Sequence, residues 1–219
     1  MKKVLFFLIA TSIISCKKDA GNYEVSLHEV TIDTLLNDEI SIRALVIDND
    51  KAWYAGSNGK YGWVSLTGGK DFSGIVAQDT LLPEFRAIAQ TSKDIFILNA
   101  GTPALLYKVS KDGKMSKLVY TETGEKVFYD SMIFSGEKEG IAVGDPVEGC
   151  HSIIITKDGG ETWSKLSCDN LPAANEGEAA FAASNTNIAF KDNNIWIATG
   201  GKTSRIINSG DNGKSWKSF

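Results

Sequence analysis

Positive charge is in short supply. Lysine and arginine number 23 against 27 aspartates and glutamates, and the pI is about 5.3. A nucleic-acid partner wants a basic face, so none is expected. Histidine is scarcer still, with His28 and His151 far apart and lacking companion ligands, so no metal site is expected either. Helical periodicity gives way to short strands rich in Val, Ile, Trp and Tyr. No Gly-rich turn lies between a strand and a helix, which removes a nucleotide-dependent oxidoreductase from consideration; no cofactor is expected.

Long apolar runs are also wanting. Met1-Lys2-Lys3 is a basic start, and the apolar run Val4 to Ile14 that follows is too short to span a bilayer. It fits the core of a signal peptide, residues 1–15. Ser15-Cys16 at its end resembles a bacterial lipobox, with Ile13 where such boxes usually carry Leu. Cleavage there would make Cys16 a lipidated N-terminus, followed by a polar tether to residue 22. The alternatives are a plain secretory signal or a core segment. We expect an outer-membrane-anchored lipoprotein of a bacterial cell envelope, held to the membrane through Cys16. Losing the leader removes two lysines and leaves the chain more acidic, which favours solubility and little else. Only Cys150 and Cys168 remain, both facing an oxidising compartment. They are centred on residue 159, inside a turn described next, so they would stand nearly opposite each other in a hairpin. A cross-strand disulfide is expected; the alternative is two unpaired thiols at strand ends.

What the chain does have is a repeated octapeptide. Thr156-Lys157-Asp158-Gly159-Gly160-Glu161-Thr162-Trp163 returns as Ser209-Gly210-Asp211-Asn212-Gly213-Lys214-Ser215-Trp216. The shared pattern is hydroxyl, any residue, Asp, any residue, Gly, any residue, hydroxyl, Trp, and each copy follows an apolar run. This reads as strand, tight turn, strand. The carboxylates of Asp158 and Asp211 can accept backbone N–H groups ahead of them, and Gly160 and Gly213 supply a positive φ. Trp163 and Trp216 add apolar area beside the turn. The pattern resembles the Asp-box (BNR) repeat of β-propellers. That resemblance implies a structural role for these six residues, on a side of the molecule away from the functional face.

With the two turns as rulers, four units emerge, at about 40–80, 81–124, 125–171 and 172–219. Arg43 to Arg86 is 43 positions, and Arg86 to Asp130 is 44. Four short strands in forty-odd residues is the requirement of a propeller blade. We therefore expect an all-β propeller over residues 23–219, with four blades of four strands. A degenerate turn stands at Lys111-Asp112-Gly113. The alternating stretch Tyr23 to Thr34 looks like a lone outer strand. Rings of this kind more often close at six to eight blades, so a C-terminally truncated ring is expected.

Groups facing a propeller's channel come from the innermost strands and the loops at its entrance. Arg43, Arg86 and Asp130 stand at matching places on the first strands. Beside them lie Gly144-Asp145-Pro146, the insertion Asn175 to Thr186 with Glu178, and Arg205 at the head of a third strand. These residues are the candidate ligand-binding mouth. Each has a plainer reading: Arg43 and Arg86 as partners of neighbouring carboxylates, Asp145 as a turn former, Glu176 and Glu178 as solvated loop charges. Further, Phe128-Tyr129-Asp130-Ser131-Met132, Gly144-Asp145-Pro146 and Gly177-Glu178-Ala179-Ala180-Phe181-Ala182-Ala183-Ser184 resemble motifs of exported bacterial propellers similar to the photosystem II stability/assembly factor family. That branch often carries labels such as oxidoreductase or glycosyl hydrolase. The resemblance implies an envelope propeller whose relatives bind and assemble without catalysis. It carries no photosynthetic role to this chain.

The functional expectation is thus a non-catalytic binding module for a protein partner or glycan. The alternative is a sialidase-like glycoside hydrolase. That would use an Arg cluster (Arg43, Arg86, Arg205) for a substrate carboxylate, Tyr129 with Glu178 as the nucleophile pair, and Asp130 or Asp145 as the acid. The Arg-Ile-Pro signature of sialidases is absent, since Arg43 precedes Ala44-Leu45 and Arg86 precedes Ala87-Ile88. The tryptophans read as blade packing, although Trp53 or Trp63 could stack on a sugar.

Overall fold

A computed structural model of the chain describes residues 30–181 and 185–219. The leader, Cys16, the tether, His28 and the expected strand up to residue 29 lie outside the described residues, as do Ala182, Ala183 and Ser184. Residues 30–34, the described part of that expected strand, form no strand.

The chain from Leu35 onward builds four antiparallel sheets in succession, each four strands in sequence order. The first holds β1 (Ile42–Asp48), β2 (Lys51–Gly56), β3 (Lys60–Ser65) and β4 (Phe72–Ile75). The second holds β5 (Phe85–Gln90), β6 (Asp94–Asn99), β7 (Ala104–Ser110) and β8 (Ser116–Glu122). The third holds β9 (Tyr129–Ser135), β10 (Glu139–Val147), β11 (Cys150–Thr156) and β12 (Ser164–Lys165). A small ladder pairs β13 (Glu178–Ala179) with β16 (Gly200–Gly201). It interrupts the fourth sheet: β14 (Ile188–Lys191), β15 (Asn194–Ala198), β17 (Ile206–Ser209) and β18 (Lys217–Ser218). First strands lie side by side, β1 along β5, β5 along β9 and β9 along β14. This is the blade arrangement of a β-propeller.

Blade packing explains the sequence of the second strands. A sheet sandwiched between two others is buried on both faces, so its strands lose the polar half of the alternation. In β6, Ile95 and Ile97 join Trp53 and Tyr61 of the first blade, while Phe96 and Leu98 join Tyr129 and Met132 of the third. A third cluster unites Ile141, Val143 and Ile153 with Ile188, Ile195 and Ile207. Short polar clamps add to this on the side of the tight hairpins. Gln90 Nε2 donates to the Ile47 carbonyl at 2.8 Å, Ser92 Oγ to Glu137 at 2.6 Å, and Asn212 Nδ2 to Glu139.

The two octapeptide turns lie on that same side and carry matching bonds. Thr162 donates from its N–H and hydroxyl to Asp158, at 3.0 and 2.5 Å. Ser215 does the same to Asp211, at 2.8 and 2.6 Å. The Thr156 and Ser209 hydroxyls donate to the same aspartates and accept from Gly160 and Gly213. With their hydroxyl and N–H donors, both carboxyls are held down at about 2. Cys150 and Cys168 are disulfide-bonded. The link is not cross-strand as expected, because Cys168 sits in a single 3-10 turn beyond β12. It ties the base of β11 to the start of the segment leading to β13.

Candidate functional site

Three innermost strands share one defect. The ladder registers skip between Ile42 and Ala44, between Phe85 and Ala87, and between Tyr129 and Ser131. The skipped residues are Arg43, Arg86 and Asp130, so each occupies the same bulge on adjacent strands. A bulge leaves one residue unpaired and re-aims its side chain. The equal spacing in sequence thus has a geometric basis. Arg43 is exposed, Arg86 half-buried and Asp130 buried. The Arg86 guanidinium lies 5.9 Å from the centre of the Phe128 ring, within cation–π range. Among the described residues neither Arg43 nor Arg86 forms an ion pair, which sets aside the plainer reading of both.

Asp145 is close by. Its N–H donates to the Phe128 carbonyl, and its Oδ1 accepts from Ala180 N–H, both at 2.8 Å. Asp145 therefore anchors the insertion. Next to Ala180, Phe181 is exposed at a positive φ of 59° and rests over Gly200.

Glu178 and Arg205 are brought together, but facing each other. Arg205 donates from Nε and Nη2 to the two Glu178 oxygens at 3.1 and 2.7 Å. The Thr199 hydroxyl adds 2.6 Å and Asn175 N–H 2.8 Å. Arg205 also reaches the Ala173 carbonyl and the Ser218 hydroxyl. His151 Nδ1 lies 3.1 Å from the Gly144 carbonyl, which can only accept, and its Nε2 lies 3.5 Å from Glu178 Oε1. The Glu178 side chain is wholly buried. Burial alone would raise its carboxyl, but Arg205, Asn175 and Thr199 outweigh it and hold the group at about 2. The expectation of a solvated loop charge is corrected: both acceptor oxygens are taken up within the fold.

The Tyr129–Glu178 nucleophile pair is likewise not formed. Tyr129 and Tyr120 both donate to Glu122 Oε2 at 2.7 Å, and Lys165 pairs with its other oxygen. Tyr129 is fully buried between the second and third blades. Burial first, then Tyr120 and Glu122, push its phenol well above the ordinary range, which opposes the phenolate a nucleophile needs.

One residue escaped the sequence reading. Asn185, at a positive φ of 59°, accepts from Met132 N–H at 2.8 Å and donates to the Ile88 carbonyl at 2.7 Å. It bridges the channel-side edges of β9 and β5, filling bonds that a strand edge otherwise leaves open. Asn tolerating a left-handed backbone was the available signal. Among the described residues no group of three His, Cys, Asp or Glu is placed to hold a metal ion.

No protein-family model matches the sequence, and no curated protein is similar to it. Solved structures are. The structure of U3-55K is 14% identical with a TM-score of 0.59, covering 84% of this chain and 53% of that one. The RRP9 WD40 repeats give 14% and 0.58, covering 84% and 52%. YCF48 from Cyanidioschyzon merolae gives 12% and 0.52, covering 84% and 57%. The chain spans about half the length of these structures. The likeness shows the fold, a β-propeller with about four blades in this chain.

Proposed function

We propose that this chain is a non-catalytic binding module whose mouth takes an acidic, extended protein segment. The observation that carries the reading is the pair of guanidinium groups, Arg43 and Arg86, standing at one bulge position on adjacent strands, with no ion pair formed by either among the described residues. Guanidinium forks favour carboxylates in a fixed geometry. Phe128 adds aromatic surface beside Arg86, and the edges of the innermost strands offer backbone groups that an extended peptide can pair with. Asn185 already uses two of those groups.

Titration calorimetry with Glu- and Asp-containing peptides tests this. Binding that weakens with salt, and at least tenfold on Arg86→Ala, is the expected result, since one charge-assisted bond is worth about 1.5–3 kcal/mol. Equal binding of lysine-substituted peptides would sink the reading.

The same proposal sets the module in a bacterial envelope as a lipoprotein. Its supports are the Lys2-Lys3 start, the apolar run to Ile14, Cys16, and a disulfide that suits an oxidising compartment. Labelled fatty acid should be incorporated in the wild type and lost in Cys16→Ala; equal labelling of both would remove this part.

A further inference from the structure

A primary amide copies a peptide unit, offering a carbonyl acceptor and an N–H donor in one plane. Asn185 uses its amide in that way. Its Oδ1 accepts the Met132 N–H of β9 at 2.8 Å, and its Nδ2 donates to the Ile88 carbonyl of β5 at 2.7 Å. β5 and β9 are the end strands of their sheets, paired on one side only, so these two groups belong to open edges. Ile88 comes two residues after Arg86 and Met132 two after Asp130, which puts the amide one strand repeat, roughly 7 Å, from the bulges. Asn99 and Asn208 also bond to backbone through their amides, but both are buried and their partners lie in their own blade. Asn185 is half-buried and crosses to two other blades. Separate bonds tether the insertion on either side of it: Ala180 N–H to Asp145, Asn187 Nδ2 to the Ala180 carbonyl, and Ala198 N–H to the Asn187 carbonyl, each at 2.8 Å.

We propose that Asn185 is a built-in competitor for the mouth: its amide fills the place of one peptide unit of a bound segment, and it must turn aside before that segment can pair with β5 and β9. Such a role presupposes the acidic-segment binding proposed above and adds how that same site is regulated. The exchange balances bond for bond. An incoming peptide unit gives its N–H to the Ile88 carbonyl and takes the Met132 N–H on its own carbonyl, the two bonds that Asn185 releases. Rotation about the Asn185 side-chain bonds is enough to vacate the place, because the tethers at Ala180 and Asn187 stay. The amide weakens every segment by the same factor, so binding of useful strength needs an added contact. A carboxylate one strand repeat along the segment supplies it at Arg86.

Calorimetry on the full chain with a peptide alternating Glu and Thr tests the proposal. Asn185→Gly removes the amide and suits the left-handed backbone there, at a φ of 59°. It should bind the peptide about fivefold more tightly than the wild type, the factor by which two modest hydrogen bonds hold the place closed. A merely structural Asn185 predicts the opposite sign. Equal or weaker binding by Asn185→Gly, while Arg86→Ala still weakens the wild type, overturns the competitor and leaves the binding reading in place. No binding by either chain removes both. Binding by the variant alone supports the proposal, as a competitor that closes the wild-type mouth fully. The wild type gives a second test that stands even where the variant fails to fold. By NMR, its Asn185 side-chain NH2 should exchange with solvent faster once peptide saturates the mouth; unchanged or slower exchange overturns the proposal.

Discussion

Asp158 and Glu178 are both held at about 2, at opposite ends of the third and fourth blades and for opposite reasons. Asp158 sits on a tight turn and owes its acidity first to the Thr162 hydroxyl and N–H, four residues away. Glu178 is buried, which would raise its carboxyl, and Arg205, twenty-seven residues on, leads the reversal with Asn175 N–H and the Thr199 hydroxyl behind it. The first carboxylate is stabilised locally and would keep most of its partners in a short peptide. The second depends on the fold being complete. One end of the propeller thus carries turns whose aspartates are bonded locally, and the other a long-range network joining His151, Thr199, Arg205 and the segment from Ala173 to Ala180.

Breaking the network should therefore cost most. Glu178→Ala leaves Arg205 partly buried without its partner, a change that typically costs about 3–5 kcal/mol. Urea unfolding checks this, and a loss below about 1 kcal/mol would mean that water replaces the carboxylate freely. Gln at the same position keeps the shape and part of the bonding, so it should be the milder variant.

The two turns differ from each other almost as sharply. Gly160 and Gly213 share a positive φ, 78° and 80°, and the same place in the octapeptide, two residues after its Asp. A β-carbon on Gly160 would lie 2.2 Å from Phe96 of the second blade, whereas one on Gly213 would meet nothing closer than Trp216 at 3.7 Å. Gly160→Ala should cost about 2–4 kcal/mol from overpacking plus backbone strain, and Gly213→Ala about 1–2 kcal/mol from strain alone. Equal losses in thermal melts would show that the turn, not its docking on the preceding blade, sets the requirement.

Acid separates the ends again. Carboxyls held at about 2 in the fold and near 4 to 4.5 when unfolded contribute stability that is present above the higher value. That stability is lost as pH falls towards 2. Glu178→Gln should flatten the loss between pH 4.5 and 2, with unfolding followed by tryptophan fluorescence. An unchanged acid limb would assign it to the turns.

What the sequence could show follows the same division. The octapeptide turns were legible because every bond lies within seven residues, and blade spacing was legible because Arg43, Arg86 and Asp130 fill one bulge repeated at 43 and 44 positions. The insertion was not. Its charges, Glu176 and Glu178, have the usual look of a solvated loop, yet Glu178, Ala180 and Asn185 bond inward to Arg205, Asp145, Ile88 and Met132. Nothing local signals such a choice, because its partners lie up to 97 residues away. Tyr129 misled in the same manner: the nearby carboxylate that it meets is Glu122, seven residues before it, across the gap between blades.

The smallest effect on stability belongs to the mouth itself. Arg43 is exposed and has no ion pair among the described residues, so Arg43→Ala should change unfolding free energy by less than about 0.5 kcal/mol. Arg205→Ala, by contrast, strips a buried carboxylate and should resemble Glu178→Ala. The two arginines were equivalent candidates as sequence, and this pair of variants sorts them by what each is for. If Arg43→Ala proves as destabilising as Arg205→Ala, Arg43 is held by the fold and is not free for a ligand. If it is silent in unfolding but weakens capture of an acidic peptide, its exposure is functional, and the bulge on β1 exists to aim it.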